Sequence, residues 1–100
     1  MEYLQKYTAD ITNLCRQYRV KTLYAFGSVL TDKFNNKSDI DLMVDIDETN
    51  PLAYAEHYFD FKFALEGLLK RPIDLLENKA IKNPFMLEHI NNAKQLIYAK

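Results

Sequence analysis

Two aspartates separated by one residue, Asp39 and Asp41, are the side chains of this sequence best suited to chemistry. They lie in segment 39–44, where polar and apolar residues alternate, and this pattern predicts a strand whose core face carries Ile40, Leu42 and Val44. Asp39, Asp41 and Met43 then share the opposite face, where the two like charges repel each other unless a cation neutralises them. Because Mg²⁺ prefers carboxylate, water and phosphate oxygens, the spacing predicts a magnesium site.

A third acid and a glycine turn extend this candidate site. Asp74 lies in segment 72–76, a predicted strand in which Ile73 and Leu75 take the core face, so Asp74 faces outward. If the two strands are neighbours, three carboxylates converge, as a two-metal phosphoryl displacement requires. Gly27 and Ser28 follow the predicted strand 22–26, and there a backbone without Cβ and a hydroxyl can approach a phosphate.

The spacing of these residues resembles the signature of the DNA polymerase beta-like nucleotidyltransferases. It consists of Gly27-Ser28, ten further residues, Asp39-Ile40-Asp41 and the later Asp74. The sequence is most similar to the minimal nucleotidyltransferase (MNT) family, a catalytic core of about this length. The likeness extends nearly end to end, through FGSVLTDKFNNKSDIDLMVD and ALEGLLKRPIDLLENKAI to a final helix ending in LIY.

The resemblance implies a function for each part of the motif. It implies that Asp39 and Asp41 bind Mg²⁺, that Asp74 completes a site for two ions, and that Gly27 and Ser28 hold ATP. An acceptor hydroxyl would attack the α-phosphate and release pyrophosphate. MNT proteins commonly pair with a HEPN-domain toxin as its antitoxin, and in some pairs AMP is transferred to a toxin tyrosine.

One departure from the family concerns the phosphate contacts. Many members carry an arginine soon after the Gly-Ser pair, whereas this sequence reads Val29-Leu30-Thr31-Asp32. Lys33 or Lys37 is expected to supply a point charge instead, and Arg71 is a further candidate cation.

Three hypotheses stay open: an adenylyltransferase acting as antitoxin, a binding module that neutralises its partner by occlusion, and a small-molecule nucleotidyltransferase. The three aspartates favour the adenylyltransferase, whereas the missing arginine favours the binding module. The third is disfavoured because 100 residues leave little room for an acceptor-binding subdomain.

Apolar periodicity and the residues that begin helices predict the secondary structure around this candidate site. Apolar positions predict a helix over 2–18, and Asn50-Pro51 and Asn83-Pro84 open two more helices. Strands are predicted at 22–26, 39–44 and 72–76, with a loop at 31–38. The last helix is expected to bury Met86, Ile90, Ala93 and Ile97. The order predicts a two-layer α/β (α+β) fold in one domain, 1–100, with a small mixed three-stranded sheet packed against helices.

Composition excludes several other classes of protein. Thirteen basic and fourteen acidic residues argue against direct nucleic-acid binding through bulk charge. The one cysteine, Cys15, excludes an internal disulfide and is expected in the core. Without a signal peptide or an apolar run of about 20 residues, no membrane contact and a cytoplasmic location are expected. His57 and His89 lack metal-ligand spacing, and the acidic run Asp45, Asp47 and Glu48 lacks the pattern of a calcium loop.

The helix after Pro51 carries five large aromatic residues within ten positions: Tyr54, Tyr58, Phe59, Phe61 and Phe63. Successive helical residues rotate by about 100°, so all five cannot face one core. At least one is expected at the surface, where it can contact a partner protein in an oligomeric assembly.

Overall fold

The computed structural model describes residues 2–32, 34–35 and 37–100, and all of their side chains except that of Lys79. These residues include four helices: α1 (Glu2–Gln5), α2 (Thr8–Gln17), α3 (Pro51–Leu69) and α4 (Pro84–Ala93). The strands are β1 (Val20–Phe26), β2 (Ile40–Ile46), β3 (Ile73–Glu77) and β4 (Gln95–Ala99). Short 3₁₀ turns occupy Gly27–Leu30 and Asn78–Ala80. No helix in these described ranges has both the length and the apolar character needed to cross a membrane.

The strands form one mixed sheet in the order β3-β2-β1-β4. β1 pairs antiparallel with both β2 and β4, whereas β2 and β3 run parallel because α3 carries the chain back between them. The predicted mixed α/β class is confirmed. The predicted number of three strands is wrong, since the described sheet has four.

The fourth strand comes from a segment that periodicity assigned to the last helix. α4 ends at Ala93, Lys94 is extended, and the chain continues as β4 along the open edge of β1. Ile97 therefore lies in a strand, half-buried against the core, while Met86 is 47% exposed and Ala93 is exposed. Of the predicted inner face, Ile90 alone is buried within the helix. Pairing with β1 satisfies backbone groups along both strands, which overrides the helical spacing.

The predicted first helix is divided into two. Tyr7 leaves the helical conformation, and the Thr8 hydroxyl donates to the Gln5 carbonyl at 2.9 Å, a local bond that competes with the helical ladder. The apolar stripe is nevertheless as predicted, with Leu4, Ile11 and Cys15 buried.

The main core lies between the sheet and helices α1, α2 and α3. Buried side chains of the helices, such as Cys15 from α2 and Phe61 from α3, pack against buried side chains of the sheet, such as Leu42 from β2. The opposite face carries the acids and Met43, which is only 1% exposed. Lys94, the residue after α4, covers part of that face, because its Nζ lies 4.2 Å from the centroid of the Tyr24 ring.

The opening signals of both long helices are confirmed. The Asn50 side chain accepts from the amides of Leu52 and Ala53, and Asn83 does the same for Phe85 and Met86. The prediction for the aromatic residues of α3 is also confirmed. Phe61 is fully buried, whereas Phe59 and Phe63 are 50% and 60% exposed.

Candidate active site

The three aspartates lie at the same end of the sheet, where β1 ends and β2 and β3 begin. Asp41 is the register partner of Phe26 on one side and of Asp74 on the other. Asp39 lies just before β2 and is exposed, as is Asp74. The parallel pairing of β2 with β3 therefore brings together two acids that are 33 positions apart in the sequence numbering.

Asp41 is the central and least exposed carboxylate of the group. Burial raises the pKa of Asp41, and the carboxylates of Asp74 and Asp39 raise it further. Each of the two neighbours disfavours a second negative charge close to its own. A cation among the three carboxylates would remove this repulsion.

Gly27 is required at its position for two separate reasons. Its φ is +76°, in the left-handed region that side chains rarely adopt. A Cβ atom added there would lie 2.3 Å from Oδ2 of Asp41, well inside van der Waals contact. The turn after β1 and the central carboxylate are thus packed directly against each other.

The turn that begins at Gly27 is closed by Thr31. The Thr31 amide and hydroxyl both donate to the Ser28 carbonyl, at 2.9 and 3.0 Å. Thr31 lies in the stretch after Gly27-Ser28 that contains no arginine, and it stabilises the backbone of the turn. Ser28 is half-buried beside Gly27, so the predicted Gly-Ser pair is next to Asp41.

The candidate cations lie in or near the 31–39 loop. Lys37 is exposed, and its amide donates to the Asn35 side chain at 2.8 Å. Lys33 lies outside the described residues. Arg71 is engaged with the loop backbone, because its Nη1 donates to the carbonyls of Asn35 and Ser38. Its guanidinium therefore stabilises the loop backbone at Asn35 and Ser38.

The donor set fits a hard divalent cation in its chemistry. Three carboxylates supply only oxygen ligands, and burial followed by repulsion from Asp74 and Asp39 raises the pKa of Asp41. Within residues 2–32, 34–35 and 37–100, no three acidic, histidine or cysteine side chains are gathered closely enough to hold a metal ion as they stand. Asp39 and Asp74 are exposed, so a change of rotamer can bring their oxygens toward Asp41 without disturbing the core.

Tyr58 of α3 was not among the predicted site residues, although it lies beside Asp74. Its hydroxyl donates to the carbonyl of Leu75, the residue after Asp74. Burial raises the pKa of Tyr58, and the charges of Glu77 and Asp74 raise it further. Tyr58 thus binds a backbone carbonyl of β3 next to the acidic patch, which consists of Asp39, Asp41 and Asp74. Helical spacing showed only that Tyr58 faces the core, because its contact with β3 depends on the tertiary packing of α3.

Comparison with protein families places this geometry in a known group. Residues 9–100 match the family described as Polymerase beta, Nucleotidyltransferase. The chain belongs to this nucleotidyltransferase family. The Gly-Ser turn, the paired Asp41 and Asp74, and the exposed Asp39 lie within the matched residues.

Individual relatives agree with the family assignment. A protein of Methanocaldococcus jannaschii with the provisional name protein adenylyltransferase is 37% identical over 82 residues, which are 82% of this chain and 79% of that protein. A solved structure described provisionally as a minimal nucleotidyltransferase has a TM-score of 0.77 and 26% identity, covering 94% of this chain and 92% of that one.

A third comparison is with a solved complex. The structure of a tri-AMPylated HEPN toxin of Shewanella oneidensis bound to an MNT antitoxin contains a chain that superposes with a TM-score of 0.65. That match covers 96% of this chain and 72% of the other at 17% identity, which establishes a shared fold.

Proposed function

We propose that this nucleotidyltransferase is a magnesium-dependent protein adenylyltransferase that transfers AMP from ATP to a tyrosine of a HEPN-domain toxin, and that it thereby acts as an antitoxin. The observation that carries the proposal is the register pairing of Asp41 with Asp74 directly beside Gly27. The adenylyltransferase name of the M. jannaschii relative and the AMPylated toxin in the Shewanella complex support the nature of the reaction.

Each residue of the site has a proposed role. Asp39 and Asp41 would hold Mg²⁺, Asp74 would share it, and two ions can be accommodated by such a set of carboxylates. A bound metal ion would neutralise negative charge on the triphosphate and on the leaving pyrophosphate. Gly27, Ser28 and Lys37 would bind the triphosphate through backbone, hydroxyl and ammonium groups.

The proposed transfer is a displacement at phosphorus. The acceptor tyrosine oxygen forms a bond to the α-phosphorus of ATP, and the bond from that phosphorus to the oxygen of the departing pyrophosphate breaks. Asp74 is the candidate base that takes the hydroxyl proton, because it is exposed at the edge of the patch where an acceptor can approach.

A direct test uses the chain together with a HEPN-domain protein from the same genome. Coexpression and size-exclusion chromatography should give a stable complex, and ATP with Mg²⁺ should add AMP to a toxin tyrosine, as read by intact mass and peptide mapping. Asp39→Asn and Asp41→Asn should abolish transfer, whereas Asp10→Asn, an exposed acid on α2, should leave it unchanged. Separation of the two proteins at micromolar concentration with no transfer would refute the proposal.

Asp74→Asn separates binding from chemistry. Loss of the candidate base should abolish AMP transfer while ATP binding falls less than in the Asp41→Asn variant. Transfer at the wild-type rate by the Asp74→Asn variant would remove this residue from the mechanism.

A second candidate function is neutralisation of the toxin by occlusion alone. It is favoured by the absence of arginine from residues 29–32 and by the engagement of Arg71 with the loop backbone. This function predicts a complex that protects cells equally well with wild-type chain and with the Asp41→Asn variant, and no AMP on the toxin.

A further inference from the structure

The backbone around Asp39 is held on both sides by one short segment before β3. The carbonyl of Ser38 accepts from Nη1 of Arg71 at 3.0 Å. The amide of Ile40 donates to the carbonyl of Pro72 at 3.1 Å. Asp39 lies between these two bonds, and Arg71 and Pro72 precede Asp74 by three and two residues. Residues 71–74 therefore hold the backbone around one acid of the site, Asp39, and include another, Asp74.

Arg71 is itself fixed by two aromatic rings. Its guanidinium carbon lies 4.3 Å from the centroid of Phe34 in the loop and 4.7 Å from the centroid of Tyr3 in α1. The Tyr3 hydroxyl in turn donates to the carbonyl of Leu69 at the end of α3. The two rings also contact each other, with 5.5 Å between their centroids and 54° between their planes, so together they form one aromatic surface against the guanidinium. Its Nη1 remains able to donate to the Asn35 and Ser38 carbonyls.

We infer that Arg71 is a positioning residue that sets the place of Asp39 relative to Asp41 and Asp74 and thereby determines the affinity of the site for a divalent cation. The inference rests on the proposed function, because it takes Asp39 as a metal ligand. Arg71 contacts neither substrate nor metal in this scheme. It acts through the backbone of Ser38 and through the loop that leads to Asp39.

Metal binding measured without any transfer reaction tests the inference. Mn²⁺, which also prefers carboxylate oxygens, can be titrated into the chain and its unbound fraction followed by electron paramagnetic resonance. Arg71→Gln should weaken Mn²⁺ binding by roughly 10- to 100-fold, the usual effect of losing a residue that orients a metal ligand. Arg16→Gln, a matched change at an exposed arginine of α2, should bind Mn²⁺ as the wild type does.

Hydrogen exchange of the Ile40 amide supplies a readout that does not depend on metal. Its bond to Pro72 should open more often in Arg71→Gln, so its exchange should accelerate, while the amides of buried β1 residues such as Leu23 keep wild-type protection. Arg71→Lys keeps the positive charge and part of the donor capacity, so it should recover part of the Mn²⁺ affinity.

The outcomes separate the inference from the function on which it rests. If the wild type binds no Mn²⁺, both the proposed metal function and the inference are wrong. If the wild type binds Mn²⁺ and Arg71→Gln binds it equally well, the positioning role alone is refuted. Should Arg71→Gln fail to fold, Phe34→Leu removes one ring from the guanidinium and keeps its hydrogen bonds. That variant should weaken Mn²⁺ binding relative to the wild type, and unchanged binding would refute the inference.

Discussion

At the scale of single residues, folding destabilises the ionised form of the Asp41 carboxyl when no cation is bound. Burial and the carboxylates of Asp74 and Asp39 raise the pKa of Asp41 in the folded state. The folded chain then binds its proton more tightly than the unfolded chain does. The free energy of unfolding therefore falls as the pH rises from the ordinary aspartate pKa through the raised one.

Asp41→Asn should remove this destabilisation along with the metal ligand. At neutral pH and without metal, the variant should unfold at the same temperature as wild type or a higher one, and it should lack the decline contributed by Asp41 as the pH rises. The increase in melting temperature that MgATP gives to the wild type should be absent. Thermal melts with and without MgATP measure both effects, with Asp10→Asn as the control. A wild-type MgATP shift in Asp41→Asn would show that this carboxylate does not bind the metal.

The two glycines of the chain provide a matched pair of substitutions. Gly27→Ala forces a side chain into the left-handed region and against Oδ2 of Asp41, so it should lower the free energy of unfolding by about 1–3 kcal/mol and weaken ATP binding. Gly67→Ala lies inside α3 with open space around its Cβ position, so it should stabilise the protein by about 0.5–1 kcal/mol.

Chemical denaturation of both alanine variants gives the two free energies. Equal effects at the two positions would contradict the assigned strain at Gly27. ATP binding by Gly67→Ala should equal that of the wild type, because a methyl group added at Gly67 meets no other atom within 4 Å.

At the scale of elements, α3 presents a buried side and an exposed aromatic side. Phe61 is fully buried in the main core, whereas Phe63, two residues later, is 60% exposed and stacks on Phe59 with 6.2 Å between ring centroids. An exposed aromatic pair on a helix is a candidate contact for the partner protein.

Serine substitutions at these positions should therefore have opposite consequences. Phe63→Ser should change the free energy of unfolding by no more than about 0.5 kcal/mol but reduce the amount of toxin complex recovered by size-exclusion chromatography. Phe61→Ser should destabilise the chain by about 3–5 kcal/mol or more, because it opens a cavity and buries a hydroxyl. Normal complex formation by a Phe59→Ser, Phe63→Ser double variant would exclude this face of α3 from the interface.

At the scale of the whole molecule, Cys15 reports on the integrity of the core. It is completely buried between α2 and the sheet, and burial raises the pKa of its thiol to about 12. At pH 8 the thiol of the folded protein should stay protonated and react with iodoacetamide only when the core opens. The unfolded chain, with a thiol pKa of about 8.5, should react readily. Labelling followed by mass spectrometry with and without denaturant is the test, and rapid labelling of the folded protein would contradict this packing.

The features that local sequence determines were predicted correctly. Asn50-Pro51 and Asn83-Pro84 open helices because a capping side chain and its amides lie within three residues of each other. The alternation around Asp41 places this acid opposite the core face because strand geometry repeats every two residues. Spacing of Gly27, Ser28, Asp39 and Asp41 was specific enough to indicate the nucleotidyltransferase family that the comparison of residues 9–100 confirms.

The remaining features depend on contacts between distant parts of the chain. β4 forms because the edge of β1 was open to pairing, although the local spacing of Ile90 and Ile97 suited a helix equally well. The alignment of Asp41 with Asp74, the approach of Gly27 to Asp41 and the contacts of Arg71 with the rings of Tyr3 and Phe34 all join separate elements. Periodicity and capping report only on neighbours a few residues away, whereas these contacts arise when the sheet register and helix packing are set together. The order of residues therefore limits which side chains are available for chemistry, and the packing of distant segments selects those that lie together.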